Sequence, residues 1–156
     1  MKKAPWKTLL ISLALSLGTG AAAGLLSAGS MAQYENMYRP PLSPPGWVFP
    51  LVWTILYVLM GIAAWLVYNS GSPDSKNALK TYALQLLVNA LWPILYFRFD
   101  LPLAALACLI FLWYLVYITI QSFGKISPAA GKLMIPYLLW LTFALYLNLA
   151  IVLHYV

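Results

Sequence analysis

Between Trp47 and Tyr68 the chain carries no Asp, Glu, Lys or Arg. A helix that crosses roughly 30 Å of hydrocarbon needs about 20 such residues. This stretch is long enough, and it is one of five. The others run from about Lys7 to Ala28, Leu79 to Phe97, Leu101 to Phe123 and Leu133 to Tyr155. Only 8% of the chain is charged and 63% is apolar. A water-facing surface needs about a quarter of its residues charged, so an ordinary soluble globule is excluded. The same shortage excludes a disordered chain. Nine basic residues scattered along the chain form no patch for nucleic acid. The apolar runs are continuous rather than alternating, which disfavours a β-barrel.

The expected fold is therefore all-α: a membrane protein built as a five-transmembrane-helix bundle. One domain spans 1–156, with helices at about 7–28, 47–68, 79–97, 101–123 and 133–155. The connections are short, so neighbouring helices should be antiparallel. The first span has a rival reading as a signal peptide, because Lys2, Lys3 and Lys7 precede it and Ser30-Met31-Ala32 resembles a cleavage site. Its length and the need of four further spans for a packing partner favour an uncleaved helix. Lys2, Lys3, Lys7, Lys76, Lys80, Lys125 and Lys132 fall on one side of a five-span topology, and Arg39 and Arg98 on the other. The excess places the amino terminus in the cytoplasm and the carboxyl terminus outside.

Little of the chemistry of catalysis is present. Glu35, Asp74 and Asp100 all lie between spans, so no carboxylate pair sits in the membrane to relay protons. Cys108 alone makes no disulfide framework and no cysteine metal site, and reads as a packing residue. His154 reads as an interfacial residue beside Tyr155 rather than a haem ligand. No metal site is expected. Gly20 and Gly24 have the spacing that lets helices approach closely.

The informative content is aromatic and amide. Seven Trp, eleven Tyr and six Phe make up 15% of the chain. Some belong to interfacial belts, as Trp6 and Tyr68 do by default. Others recur along helix faces. Gln85, Asn89 and Trp92 share one face of the third helix, with Tyr82 a turn earlier. Phe49, Trp53 and Tyr57 share a face of the second. Tyr137, Trp140, Ala144 and Asn148 share a face of the fifth. Carboxamides facing lipid would strand hydrogen-bonding groups, so the third stripe must point into the bundle. There Gln85 and Asn89 serve as interhelical ties, as ligand contacts, or as both. Converging stripes would enclose either a packed aromatic core or an apolar cavity with flat walls, suited to a large planar guest. Residues 34–46 form a proline-rich loop, with four prolines between Pro40 and Pro45. It is either a fixed lid over one mouth of the bundle or a rigid connector.

Three segments resemble the signatures of a known family. They are Pro-Pro-Gly-Trp-Val-Phe-Pro-Leu-Val-Trp-Thr-Ile-Leu-Tyr (44–57), Gln-Leu-Leu-Val-Asn-Ala-Leu-Trp-Pro (85–93) and Pro-Tyr-Leu-Leu-Trp-Leu-Thr-Phe-Ala-Leu-Tyr-Leu-Asn (136–148). In order and position they are similar to the tryptophan-rich sensory proteins of the TspO/MBR family, relatives of the translocator protein or peripheral benzodiazepine receptor. The resemblance runs from about Thr8 to His154. It implies a five-helix bundle, often a homodimer, in a bacterial-type cell membrane. It also implies a receptor that takes protoporphyrin IX or haem as ligand, with no required cofactor, and acts as a sensor or scavenger in porphyrin and stress physiology. The implied pocket lies under the first loop, among the first, second, third and fifth helices. Its lining maps onto Trp53, Tyr57, Gln85, Asn89, Trp92, Trp140, Ala144 and Asn148. Light-dependent porphyrin breakdown in some relatives maps onto Trp53 and Trp140, the two candidate catalytic residues; an enzymatic role is otherwise not expected.

The chain departs from the family pattern in places. Gln33-Tyr34 and Leu42 stand where tryptophans are common, Cys108 stands at an often acidic position, and no complete sterol-recognition motif ends the chain. Sterol binding is therefore not carried over. The main rival reading is a transporter of porphyrins or other amphipaths. Five spans do not divide into inverted repeats, and no buried charge is present to couple ions.

Overall fold

The computed structural model describes residues 5–26 and 40–155. Helix α1 covers Pro5–Leu26 and α2 Val48–Tyr68. Helix α3 covers Ser75–Pro93 and runs on into one π-helical turn, Ile94–Arg98. Then follow α4, Pro102–Ile126, a short α5, Pro128–Leu133, and α6, Ile135–Tyr155. Every regular element among the described residues is helical.

The expected boundaries hold to within a few residues, with two differences. The third helix starts four residues early, at Ser75, because Ser72 and Asp74 turn the chain there. The last segment is split, with Met134 between α5 and α6. Ser127 opens α5 as its N-cap, its Oγ accepting from the Ala130 N–H at 3.3 Å, ahead of Pro128 at the first helical position. The Lys2 and Lys3 pair, the Ser30-Met31-Ala32 segment, Gln33, Tyr34, Glu35 and Arg39 lie outside the described residues.

Four stretches of the described chain are long and apolar enough to cross a membrane: Trp6–Leu26, Val48–Tyr68, Pro102–Ile126 and Pro128–Tyr155. Helix α3 is not among them. Lys76, Asn77, Lys80, Gln85 and Asn89 dilute its apolar character. Its inward face nonetheless follows a strict pattern. Ala78, Tyr82, Gln85, Asn89, Trp92 and Tyr96 are all buried, at alternating steps of four and three residues. The outer faces of the bundle are the opposite. Ile11, Leu15, Leu87, Leu103, Leu139 and Leu153 are each more than half exposed. Such apolar surface, spread around a helical bundle, belongs against acyl chains.

Helix α1 is held to α2 by a row of small and hydroxyl residues at four-residue steps. Thr8 Oγ1 accepts from the Trp65 indole at 3.0 Å, and Ser12 Oγ donates to the Gly61 carbonyl at 2.7 Å. Ser16 Oγ donates to the Tyr57 carbonyl at 2.7 Å. At Gly20 an added Cβ would run into the Tyr57 ring. Gly24, the other half of the expected glycine pair, has nothing within 4 Å of such a Cβ. The close approach therefore runs through Thr8, Ser12, Ser16 and Gly20, as small residues allow in a membrane. These bonds make α1 and α2 antiparallel. Arg98 then caps the far end of α1, its guanidinium donating to the Leu26 carbonyl at 3.3 Å. Lys7, Lys76, Lys80, Lys125 and Lys132 thus lie at one end of the bundle and Arg98 at the other.

Gly61 is a second tight point of this seam, because a Cβ there would meet Leu13 Cδ2 at 2.8 Å and Ser16 Oγ at 2.9 Å. Gly61→Val is expected to destabilise the bundle by about 1–3 kcal/mol, the usual cost of overpacking. Gly24→Ala should leave it unchanged. Unfolding in mixed micelles at rising SDS fraction measures both; equal midpoints for Gly61→Val and wild type would show that this seam does not hold α1.

Candidate ligand pocket and its hydrogen-bonded floor

Helices α2, α3 and α6 meet through side chains more than through close backbone packing. Two hydrogen-bonded layers fill the space between them. In the deeper layer the Tyr57 hydroxyl donates to Asn89 Oδ1. Asn89 Nδ2 bonds the Tyr137 hydroxyl at 2.6 Å, and that hydroxyl donates to Gln85 Oε1 at 2.7 Å. Gln85 Nε2 reaches the Met60 sulfur at 3.8 Å. Gln85 and Tyr137 are fully buried, and Asn89 and Tyr57 nearly so. The chain of bonds ties α2 to α3 and α3 to α6.

One to two helical turns nearer the Arg98 end, the Trp92 indole donates to Asn148 Oδ1 at 3.0 Å. Asn148 Nδ2 donates to the Pro102 carbonyl at 3.0 Å. Asn148 thereby joins α3, α6 and the start of α4. Above the two layers lies a cavity of about 30 Å³, walled by Phe49 and Trp53 from α2, Trp92 from α3, and Trp140, Ala144 and Asn148 from α6. Tyr96 and Phe97 from the π-helical turn close one side, and Pro40 and Ser43 roof it.

The eight predicted lining residues divide between the layers. Trp53, Trp92, Trp140, Ala144 and Asn148 line the cavity. Tyr57, Gln85 and Asn89 lie beneath it and spend their polar groups on one another and on Tyr137. Of the two roles open to Gln85 and Asn89, the structure shows them as interhelical ties. Helix α1, expected to border the pocket, contributes no lining residue among those described. The reason is that its small-residue face is taken up by the far side of α2. His154 is exposed and packs edge-on against Tyr155 at 4.7 Å, outside the lining. Cys108 is half-buried, its sulfur 3.7 Å from the Val88 carbonyl, in keeping with a packing role.

Tyr96 and Phe97, with Leu147 and Ile151 of α6, are lining residues that sequence reasoning missed. Pro93 supplies no N–H to the helical ladder, and the turn after it widens, with Phe99 N–H bonding the Ile94 carbonyl at 3.0 Å. One extra residue in the turn rotates the following side chains in phase, a common device near functional sites. Pro93 itself was the visible signal.

The roof's Pro40–Ser43 turn is closed by the Ser43 N–H and hydroxyl on the Pro40 carbonyl, at 3.1 and 2.6 Å. Leu42 takes the left-handed conformation there, with φ 73°, which costs a branched side chain energy. From below, the Tyr146 hydroxyl donates to the Pro41 carbonyl at 2.7 Å. Phe49 and Trp140 meet edge to face beneath it, with ring centroids 5.9 Å apart. Trp53 packs on Tyr57 at 5.7 Å and edge-on against Tyr137 at 6.1 Å.

A helical membrane protein with three indoles converging on one capped hollow is the class that this geometry defines. The TspO/MBR family model matches residues 10–153. The chain is 35% identical to the tryptophan-rich protein TspO of Chlorobaculum tepidum over 147 residues, covering 92% of this chain and 93% of the relative. It is 38% identical to the tryptophan-rich sensory protein of Cereibacter sphaeroides over 143 residues, covering 92% and 88%. It is 31% identical to the human translocator protein over 148 residues, again covering 92% and 88%. The chain belongs to the TspO/MBR family.

The deeper layer predicts a stability effect. Asn89→Leu deprives the Tyr57 and Tyr137 hydroxyls of a partner each and is expected to cost about 1–2 kcal/mol. Tyr57→Phe removes one bond and should cost roughly 0.6 kcal/mol, the average for such bonds in a membrane. Reversible unfolding in bilayer discs ranks the two; an Asn89→Leu variant as stable as wild type would exclude the amide as the tie.

Proposed function

We propose that the chain is a five-span membrane receptor that binds a tetrapyrrole between α2, α3 and α6. Its amino terminus lies in the cytoplasm and its carboxyl terminus outside. In this reading α3 is the fifth span. Its polar residues either face inward or, like Lys76 and Lys80, sit at its end where they can reach the headgroups. The lysine end faces the cytoplasm by the excess of basic residues there. A reporter active only outside the cytoplasm should work when fused to the carboxyl terminus, and activity confined to the cytoplasm would overturn the topology.

The observation that carries the binding reading is the convergence of Trp53, Trp92 and Trp140 under a proline-rich roof, with Asn148 as the polar group at their level. Flat π walls with one fixed amide suit a planar, largely apolar ring. The hollow is about 30 Å³, room for water-sized guests, whereas ligand pockets run to several hundred Å³. Binding therefore requires the roof and the Phe49–Trp140 contact to part, while the hydrogen-bonded floor stays. Propionates of the guest would lie at the mouth, the end of the bundle that holds Arg98. Arg39, next to the roof in sequence, is the second candidate to meet them.

Trp53 and Trp140 give the pocket oxidisable indoles at opposite walls. Contact with a photoexcited ring allows electron transfer from an indole, which is the chemical basis for light-dependent porphyrin breakdown as a secondary activity. Physiologically the reading is a sensor or scavenger of porphyrin.

Quenching of tryptophan fluorescence by protoporphyrin IX tests the site. Saturable binding is expected for wild type. Ala144→Phe, which fills the hollow, should weaken it at least tenfold, and Tyr146→Phe, which frees the roof, should speed association. Under illumination, Trp53→Phe and Trp140→Phe should slow loss of the porphyrin. Equal affinity of wild type and Ala144→Phe would reject this pocket.

A further inference from the structure

A second hollow, of about 560 Å³, opens between α1 and α3 on the half of the bundle away from the aromatic pocket. Its volume falls within the range of ligand sites. Its walls are Ile11 and Leu15 of α1, Trp65 of α2, and Leu79, Ala83 and Leu87 of α3. Ile11, Leu15 and Leu87 are 61%, 62% and 71% exposed, so the hollow is open sideways, toward the lipid. It extends along α1 from Thr8 to Thr19, about 16 Å at helical rise. That is the depth of one leaflet of a roughly 30 Å core.

The polar groups of its walls divide sharply. Ser12 and Thr19 spend their hydroxyls on the Gly61 and Leu15 carbonyls, and Thr8 accepts from Trp65 and Asn69. These surfaces offer a guest only hydrocarbon contact. Tyr82 lends the wall only its ring, since the residue is 6% exposed and its hydroxyl is sealed inside the bundle near Ser16. Charge collects at the mouth. Lys7 precedes Thr8 in sequence, Lys80 follows Leu79, and Lys76 stands one turn earlier; all three are exposed. One acidic residue, Asp74, shares this rim. Trp65 and Tyr68 flank it, as aromatic residues do at a headgroup boundary.

We propose that this hollow is a binding site for an anionic glycerophospholipid of the leaflet at the lysine end. The phosphate sits among Lys7, Lys76 and Lys80, and one acyl chain lies along Ile11, Leu15, Ala83 and Leu87. Basic pockets between transmembrane helices recognise anionic headgroups in this way. The site is independent of tetrapyrrole binding, since it shares no lining residue with the aromatic pocket.

Native mass spectrometry of the purified full chain, released from micelles containing dioleoyl-phosphatidylglycerol or dioleoyl-phosphatidylcholine, tests the proposal. Wild type should retain the anionic lipid with roughly tenfold preference, and Lys76→Gln/Lys80→Gln should bring the ratio to about one. Ala83→Trp, a change at an exposed wall position that the fold tolerates, should lower retention of both lipids. No preference in wild type, or undiminished retention by Ala83→Trp, overturns it. So does quantitative cross-linking of two copies in native membranes through Leu87→Cys in a Cys108→Ala background, which assigns the groove to a second copy.

Discussion

A carboxamide held inside hydrocarbon has to find its hydrogen bonds within the protein, because neither water nor lipid will supply them. Asn89 and Gln85 obey this constraint together with Tyr57 and Tyr137. The result is a cross-brace that joins three helices at one level. Interhelical hydrogen bonds in membranes are individually weak, so stability is only part of what the brace provides. Its geometric effect is larger. Phenol and amide side chains are long, and linking them end to end holds α2, α3 and α6 apart at a width that small aliphatic residues would close.

That width explains the aromatic layer above. Once the helix axes are set apart by the brace, the space toward the roof is filled by rings, the bulkiest apolar groups available. Phe49, Trp53, Trp92 and Trp140 fill it with few polar ties. Among the described residues, Trp92–Asn148, Asn148–Pro102 and Tyr146–Pro41 tie this end, whereas the floor is one continuous chain of bonds. Edge-to-face ring contacts are shallow in energy and tolerate rearrangement. A hydrogen-bonded floor beneath an aromatic layer suits the proposed opening of the site for a large guest.

Much of this was legible in the chain. Four-residue and three-residue spacings identified the inward faces of α2, α3 and α6, and every residue of those stripes on α3 is buried. The hydropathy of α3 hid its kinship with the other long helices, since inward amides and terminal lysines count against a span in any average over the sequence. Periodicity also could not tell which amide serves as brace and which faces the cavity. Asn89 and Asn148 have the same donors and acceptors; their neighbours in space differ, a pair of phenols in one case and an indole with a proline carbonyl in the other. The π-helical turn escaped for a related reason. A change of phase after Pro93 alters no composition, only the direction of Tyr96 and Phe97. The Thr8, Ser12, Ser16 and Gly20 row was present at four-residue steps, but its meaning depends on the bulk of Tyr57 and Trp65 on the helix it meets.

Helix α3 is where the two ends of the molecule are joined mechanically. Lys76, Lys80 and Tyr82 belong to its lysine end, Gln85 and Asn89 to the brace, Trp92 and Tyr96 to the aromatic pocket. Tyr82 packs on Phe123 of α4 with ring centroids 5.7 Å apart, while Asn148 holds the start of the same α4 through Pro102. A displacement of α3 along its axis would therefore disturb both hollows, whereas a tilt about the brace would open one end and close the other. The brace lies between the two hollows and pins α3 to both α2 and α6, which opposes sliding more than tilting. Motion transmitted along α3 between the lysine end and the roof passes through that pivot, whose bonds are made by buried amides and phenols rather than by the indoles that line the pocket.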